Sequence, residues 1–170
     1  MTAKISIERL RTILSYDPEI GLFRWRADKF SSRGQLVARE GSQTGGLNAD
    51  GYWQMVIDGQ HYYGHRLAWF YVYGEWPARQ IDHDNLIKSD NRISNLRLAG
   101  YSEQRANQRI RKDSGIGVKG VYLHKSGLYC ARCMRKGMPT HNSYHHSLDE
   151  AAQAYAAAST KMYGEFARSE

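Results

Sequence analysis

Acidic and amide side chains surround a single histidine in the middle of the chain. Residues 80–85 (QIDHDN) end a predicted strand and enter a polar loop, which continues through residues 90–97 (DNRISNLR). A predicted helix then adds further polar side chains, at Glu103, Gln104, Asn107 and Gln108. Carboxylate and amide oxygens are ligands that suit a hard cation such as Mg²⁺. The chain has only two cysteines, so no set of thiolates is present that would select zinc.

The central histidine, His83, has the chemistry of a general base. An imidazole with an ordinary pKa of about 6.5 accepts a proton from water near neutral pH. A divalent ion beside it would screen phosphate charge and stabilise a leaving oxygen, so these residues are the parts that phosphodiester hydrolysis needs. The alternative is a polar loop stabilised by asparagine side-chain turns, with His83 an ordinary loop histidine. Composition alone leaves both interpretations open.

The positive charge of the chain is concentrated around these residues. The 170 residues carry a net charge of +7, whereas residues 79–136 alone carry 13 Lys and Arg against 5 Asp and Glu, a net charge of +8. Clustered positive charge favours a polyanion, and nucleic acid is the expected one, because neutralising phosphates releases condensed counterions. A basic face that serves solubility is the alternative.

Other function classes are disfavoured by composition. No apolar run is long enough to span a membrane, and the amino terminus lacks a secretory signal, so we expect a cytoplasmic protein. Two cysteines cannot form a disulfide framework. Cys130 and Cys133 form a CxxC pair without a second pair, which argues against a zinc or redox role.

The amino-terminal part is predicted to be a mixed α+β scaffold. His61 and His65 are interpreted as structural or surface groups, and Trp53, Trp69 and Trp76 as core anchors. The predicted elements are a helix over Ile7–Leu14 capped by Ser6, a turn at 17–21, strands over Leu22–Trp25 and Tyr52–Ile57, an Asp58-Gly59 hairpin turn, a returning strand over Gln60–Tyr63, a helix over His65–Tyr73 ended by Gly74, a strand over Gln80–Asp82, and a helix over Ser102–Lys112 capped by Ser102.

The remainder is predicted to be a small βββα module. Strands are expected over 120–124, 128–135 and 141–145, followed by a helix whose capping box is Ser147 to Glu150. Alternation along the second strand turns Ala131 and Cys133 towards this helix and Arg132 outward, and leaves Arg135 ambiguous. The predicted domains are residues 1–112, a linker at 113–118, and residues 119–168. No internal repeat is evident.

Residues 65–109 (HRLAWFYVYGEWP, then IDHDN, then DNRISNLRLAGYSEQRANQR) resemble the HNH endonucleases of phage and mobile-intron type. The resemblance implies a ββα-metal fold, with His83 as general base and Asp82 as a ligand of one Mg²⁺ or Mn²⁺. It implies that Asn95, twelve residues after His83, braces the active-site loop.

The third motif position of that family departs from its pattern in this chain. It falls nine residues after Asn95, on Gln104, where the family has His or Asn. Asn107, one helical turn further on, is an alternative metal ligand. Asp84 is likewise an alternative to Asp82, because alternation puts both on one side of an extended segment.

Residues 115–168 resemble the plant ethylene-response-factor type of DNA-binding domain, through KGVY, the central AR, and DEAAQAY followed by YGEFA. The family's strand Arg and Trp are replaced here, so no base preference is transferred. Basic residues of the earlier helix, Arg105, Arg109 and Lys112, form one charged stripe suited to phosphate. The predicted DNA contacts are Arg92, Arg97, Arg105, Arg109, Lys119, Tyr122, His124, Lys125, Arg132 and Arg135.

Together these features predict a metal-dependent DNA endonuclease of homing or phage type. We expect it to nick double-stranded DNA, as a monomer or weak homodimer, and to be phage-encoded and act in a bacterial host. The alternative is a catalytically impaired, sequence-specific DNA-binding protein.

Overall fold

The structure, a computed structural model, describes residues 5–110 and 115–168. By its internal contacts the chain divides into two compact units, residues 1–98 and residues 99–170. The division lies earlier in the chain than the domain boundary predicted from the sequence. Within the described ranges, no helix combines the length and the apolar character that crossing a membrane requires.

The first unit is built from short elements joined by tight turns. In chain order they are α1 (Ile7–Ile13), β1 (Leu14–Asp17), β2 (Leu22–Trp25), β3 (Lys29–Phe30), β4 (Leu36–Ala38), β5 (Gly46–Leu47), β6 (Trp53–Ile57), β7 (Gln60–Tyr63), α2 (Gly64–Tyr73), β8 (Gln80–His83), a 3-10 turn (Ile93–Asn95) and β9 (Leu96–Ala99). The sheets are small: β1–β2, β3–β4, β5–β6–β7 and β8–β9.

Local signals explain most of these elements. The Ser6 side chain accepts from the Arg9 N–H and caps α1. Asp58 and Gly59 both have positive φ, 49° and 77°, as the turn of a two-residue hairpin requires. Gly74, at φ 75°, ends α2 in the left-handed conformation.

Strands β1 and β9 differ from the sequence expectation. Leu14, predicted on a helix face, instead starts β1, which pairs with β2 from Leu14 opposite Trp25 to Asp17 opposite Leu22. Strand β9 was also not predicted. Its partner is β8, and this pairing brings the end of the 84–95 loop back to the strand that carries His83.

The core of the first unit lies between α1, α2 and the short sheets. Its fully buried side chains include Leu10, Leu14, Phe23, Met55, Ile57 and Leu67. Trp53, Trp69 and Trp76 pack against this core, as predicted. Trp76 stacks on Phe70, with ring centroids 4.3 Å apart.

The second unit combines one short helix with the predicted βββα arrangement. Its elements are α3 (Tyr101–Asn107), β10 (Val121–Leu123), β11 (Tyr129–Cys133), β12 (His141–His145), α4 (Leu148–Tyr163) and a 3-10 turn (Gly164–Phe166). The strands form an antiparallel sheet with β11 in the centre, and Ser147 caps α4 as expected.

Helix α4 covers one face of that sheet. Ala151, Tyr155, Ala158 and Met162 form a buried stripe against Val121, Ala131 and Cys133, which confirms the predicted orientation of β11. Gly120 permits this packing, because a Cβ there would lie 2.0 Å from the Tyr155 ring.

Helix α3 differs from its prediction. It starts at Tyr101 rather than Ser102, with Gly100 as N-cap, and Gln108 at its carboxyl end is already extended. The Glu103 carboxylate accepts from the Gly100 N–H at 2.7 Å and takes the place of the expected Ser102 cap. Arg111, Lys112 and the first two residues of the predicted linker lie outside the described residues.

Candidate active site

The predicted general base and its acidic neighbour lie at the end of β8. Ile81, Asp82 and His83 are all buried, with Asp82 8% and His83 4% exposed. The chain then leaves the strand, and the Asp84 N–H donates to the Asn95 carbonyl at 3.0 Å. The 84–95 loop is therefore closed at the point where His83 stands.

Aromatic rings surround the His83 imidazole. The His65 ring meets it edge-on, with centroids 5.2 Å apart, and the Tyr52 ring lies 6.0 Å away. The Tyr63 ring stacks on the His65 ring, with centroids 5.5 Å apart. These contacts restrict the orientation of His83.

This environment keeps both histidines neutral at pH 7. Burial lowers the pKa of His83, while the Asn91 side chain and the nearby Asp82 charge partly oppose this effect. Burial, helped by the proximity of His83, lowers the pKa of His65 to about 3. A neutral imidazole at position 83 is the form that can take a proton from water.

One guanidinium holds the two candidate carboxylates. Arg97 contacts Asp82 through Nε and Nη2, both at 3.1 Å from Oδ2, and contacts Asp84 Oδ1 through Nη1 at 2.6 Å. Both acids therefore lie on the same side of the extended segment. Arg97, predicted as a DNA contact, is engaged with these acids.

Asn95 makes the contacts of a residue that holds the loop. Its Oδ1 accepts from the Asn85 N–H at 3.0 Å, and its Nδ2 donates to the Asp90 carbonyl at 2.9 Å. Asp90 in turn accepts from Asn85 Nδ2 and from the Arg92 side chain. The Arg92 bonds hold the pKa of Asp90 down, at about 2. Arg92, another predicted DNA contact, is thus paired within the loop.

Asn91 links the loop to the rest of the first unit. It is 2% exposed, and its carbonyl accepts from the Tyr16 hydroxyl at 2.7 Å. Two glycines approach it closely: a Cβ on Gly64 would lie 2.7 Å from Asn91 Nδ2, and one on Gly21 would lie 2.6 Å from the Asn91 carbonyl carbon. The position of Asn91 beside His83 therefore depends on glycine at position 64 in α2 and at position 21 in the β1–β2 turn.

The candidate ligands of the third motif position lie in the second unit. Gln104 and Asn107 are on α3, one turn apart. Asn107 is 2% exposed, and its Oδ1 accepts from Arg168 Nε at 3.3 Å. The structure thus brings Asp82, His83 and Asn95 together in the first unit and places Gln104 and Asn107 on a helix of the second.

The donors present fit a hard divalent cation with few protein ligands. Among the residues that the structure describes, no three His, Cys, Asp or Glu side chains form a cluster that could hold a metal. Asp82 and Asp84 nevertheless both contact the Arg97 guanidinium, so the two carboxylates together balance a positive charge. Mg²⁺ is typically held by one or two carboxylates, with waters and substrate phosphates completing its shell. Cys130 and Cys133 are buried in the sheet of the second unit.

The second unit presents a polar, aromatic face on the side of the sheet opposite α4. Arg132 is exposed there, as predicted, and Tyr122 and Tyr144 stand at the paired positions on either side of Cys130. Because these two tyrosines flank it, Cys130 is fully buried although α4 lies on the other face. His124 contacts the Tyr144 ring edge-on at 5.1 Å. Lys125 is also exposed, as are Arg105 and Arg109 near α3.

Two other predicted DNA contacts have intramolecular partners. Lys119 Nζ donates to the carbonyls of Ala106 and Gln108, and burial lowers its pKa. Arg135 donates to the Met162 carbonyl and pairs with the Glu103 carboxylate at 2.9 Å. The sequence left the direction of the Arg135 side chain ambiguous, and in the structure this side chain contacts α3 and α4.

Sequence reasoning missed three side chains that shape the site: Tyr52, His65 and Asn91. His65 was interpreted as structural or surface, and it is buried against His83, whereas His61 is exposed. Tyr52 and His65 are distant from His83 in sequence, and no spacing rule links them to it. Asn91 lies within the motif segment, but the residues around it in the sequence do not indicate that it is buried.

Comparison with known proteins identifies the central segment. Residues 62–106 match the family described as HNH endonuclease, so the chain contains an HNH endonuclease domain over this range. The match covers β8, the loop, β9 and most of α3, and it does not extend to the βββα module. No curated protein and no solved structure matches the chain significantly.

Proposed function

We propose that this protein is a metal-dependent DNA endonuclease that hydrolyses phosphodiester bonds at its HNH domain. The observation that carries the proposal is the buried Asp82-His83 pair at the end of β8, inside the matched range. HNH endonucleases are phosphodiester hydrolases, and DNA is the substrate that the family implies. With one such motif in the chain, each protomer cuts one strand, so a monomer nicks DNA.

His83 is the general base of the proposed reaction. Burial favours its neutral form, and the rings of His65 and Tyr52 hold its plane. It takes a proton from the water that attacks phosphorus, and the resulting imidazolium is stabilised by the Asp82 charge and the Asn91 side chain. Asn95 keeps the loop closed behind it.

Asp82 would hold the divalent ion, Mg²⁺ or Mn²⁺, and Asp84 is the alternative carboxylate. The amide ligands predicted from the sequence, Gln104 and Asn107, lie on α3 of the second unit. The bound ion would supply charge screening at the phosphate and stabilisation of the leaving oxygen. Arg97 contacts both Asp82 and Asp84 and offsets their negative charges. The guanidinium thereby reduces the repulsion between the two carboxylates.

The βββα unit is proposed to bind DNA in the manner of an ethylene-response-factor domain. The open sheet face carries Tyr122, Arg132 and Tyr144, with His124 and Lys125 at its edge. A cleft of about 260 Å³ in the same unit is lined by Tyr101, Arg105 and Arg132, among others, and no acidic residue lines it. Such a surface favours the phosphate backbone.

Incubation of supercoiled plasmid with the protein and Mg²⁺ tests the proposal. The wild type is expected to produce open circles, and His83→Ala to reduce the rate to the buffer background. DNA affinity without Mg²⁺, measured for both proteins, shows whether His83→Ala still folds and binds. Equal background cutting by two proteins that both bind DNA would overturn the catalytic assignment.

One observation favours a second candidate function, a DNA-binding protein with impaired catalysis. Gln104 stands where the resembling family has His or Asn, and its amide lies one methylene further from the backbone than that of Asn. A salt-sensitive DNA affinity that ignores Mg²⁺, without any cutting, would support this alternative.

A further inference from the structure

Histidines are concentrated on the last strand of the second unit. Of the seven histidines in the chain, three lie within six residues, at positions 141, 145 and 146. His141 and His145 are the first and last residues of β12, and Ser143 stands midway between them. Because side chains alternate along a strand, His141, Ser143 and His145 share one face of the sheet. Neither the endonuclease site nor the exposed DNA-binding face uses these three residues.

The two imidazoles contact the same hydroxyl group. Ser143 Oγ lies 3.2 Å from His141 Nε2 and 2.8 Å from His145 Nε2. A hydroxyl has one hydrogen to donate, so it can donate to only one of these nitrogens and must accept from the other. The two rings therefore direct the same nitrogen, Nε2, at one polar atom.

This face of β12 is accessible from solvent. Ser143 is paired with Ala131 of the central strand, and Ala131 is fully buried under α4. On the edge strand β12, His141, Ser143 and His145 are only half-buried. Helix α4 thus covers the centre of the sheet and leaves the Nε2 atoms within reach of an ion from solution.

The spacing of the three atoms is close to that of ligands around one metal ion. With Zn–N bonds of about 2.0–2.1 Å in a tetrahedral shell, neighbouring ligand atoms lie roughly 3.3 Å apart. The two N–O distances, 3.2 and 2.8 Å, approach this value, and the shorter one needs to widen by about half an ångström. Imidazole nitrogens suit Zn²⁺, Cu²⁺ and Ni²⁺, whereas Mg²⁺ prefers oxygen ligands.

We propose that His141 and His145 bind a transition-metal cation of the Zn²⁺ type through their Nε2 atoms, with the Ser143 hydroxyl and water completing its shell. The site lies within the second unit and does not depend on the proposed endonuclease function. Its two imidazoles stand at the two ends of β12, so a bound ion ties together the ends of this edge strand. The opposite face of the same strand carries Tyr144, and the ion thereby stabilises the sheet that presents this side chain.

Calorimetric titration of the full-length protein with Zn²⁺, in a large excess of Mg²⁺, tests the proposal. The Mg²⁺ occupies oxygen-ligand sites and does not compete for imidazole nitrogens. His141→Gln and His145→Gln are each expected to weaken Zn²⁺ binding at least about tenfold, since even the loss of a group that only orients a metal ligand costs this much. His61→Gln removes an exposed histidine of the first unit and is expected to keep the wild-type affinity.

A second measurement uses the wild type alone. In imidazole ¹⁵N spectra, Zn²⁺ is expected to shift the Nε2 resonances of His141 and His145. Zn²⁺ should also raise the melting temperature of the wild type, because it binds the folded state, and should have a smaller effect on His141→Gln. Melting curves without Zn²⁺ show that each variant is folded at the titration temperature.

The outcomes are independent of the plasmid assay. A wild type that binds no Zn²⁺ would overturn the proposal, as would folded His141 and His145 variants with wild-type affinity. Zn²⁺ shifts confined to other histidines would overturn it too, and the bonds to Ser143 would then be hydrogen bonds within β12 only. Weakened binding in both variants, with Nε2 shifts in the wild type, supports the site even if the protein cuts no DNA.

Discussion

His83 and His65 form a pair of buried imidazoles whose ring centroids are 5.2 Å apart. Both have a lowered pKa, mainly because burial penalises the charged form. One of them is the proposed base, and the other is part of the wall that orients it. The two residues lead to separate predictions about pH.

The first concerns the rate of cleavage. Because burial lowers the pKa of His83, its neutral form persists below pH 6.5, and the acid limb of the profile of kcat/KM against pH should fall below that value. Initial rates of plasmid nicking across pH 5 to 8, at fixed ionic strength, measure this limb. A midpoint above pH 6.5 would contradict the assignment of a buried His83 as base.

The second concerns stability. The folded pKa of His65, about 3, is below its unfolded value, so the unfolded chain binds more protons between these two values. The stabilisation is therefore present above about pH 6.5 and is lost as pH falls, by at most about 1.4 kcal/mol per pH unit. His65→Phe, which keeps an aromatic ring, should show a shallower loss of unfolding free energy between pH 6.5 and 4. Urea unfolding at several pH values measures the slopes.

The exposed His61 provides the control for this measurement. His61→Gln removes an exposed imidazole and leaves the buried His65 in place, so it should follow the wild-type slope. If His65→Phe and wild type lose stability in parallel, His65 does not titrate as a buried group.

Among the elements, the loop between β8 and β9 determines the geometry of the site. Asn95 and Asp90 hold it from within, and Gly64 of α2 and Gly21 of the β1–β2 turn allow the scaffold to approach it closely. The loop is therefore sensitive to changes in elements that carry no catalytic side chain.

Gly64→Ala tests this sensitivity. Replacing Gly by Ala in a helix usually adds up to about 1 kcal/mol of stability, but here the new Cβ would lie 2.7 Å from Asn91 Nδ2. We expect a loss of about 1–3 kcal/mol, as for overpacked cores, together with slower cleavage because Asn91 contacts His83. Thermal melting and nicking rates measure the two effects.

Gly46→Ala is the matched control, since a Cβ at Gly46 would meet no atom within 4 Å. Unchanged melting and cleavage in the Gly64 variant would show that Asn91 moves aside without cost.

The same elements show what a sequence can predict. The β6–β7 hairpin, α2 and α4 were predicted because their signals are local: Asp58-Gly59, Gly74 and the Ser147 cap. Strands β1 and β9 were missed because strands this short are fixed by pairing with their partners, β2 and β8, rather than by local preference. In the site, the order of the motif predicted that Asp82, His83 and Asn95 belong together. The contacts of Tyr52 and His65 with His83 arise from tertiary packing, which no spacing in the sequence encodes.

At the scale of the whole molecule, the positively charged side chains between residues 79 and 136 fall into two groups. Some are bonded to acceptors within the molecule, and others are exposed to solvent. Arg97, Lys119 and Arg135 have intramolecular acceptors or acidic partners, whereas Arg132 and Lys125 are exposed. Formal charge therefore overstates the number of groups available to phosphate.

Salt dependence of DNA affinity checks this division. Arg132→Ala is expected to weaken binding and to reduce the slope of log K against log salt by about 1, as for a lost phosphate contact. Arg135→Ala removes the same formal charge but should leave the slope unchanged, because its guanidinium is already paired with Glu103. Fluorescence anisotropy over a range of salt concentrations provides the comparison, and equal slope changes would refute it.

The match to the HNH family, residues 62–106, runs across the division of the chain after residue 98. This has a practical consequence for retargeting the protein by fusion with a foreign recognition module. A chimera joined near residue 112 would keep α3 but separate it from Lys119 and Arg135, the side chains that hold its two ends. A fusion that replaces everything from Ala99 onward must instead supply its own version of this helix, together with side chains that bind both of its ends.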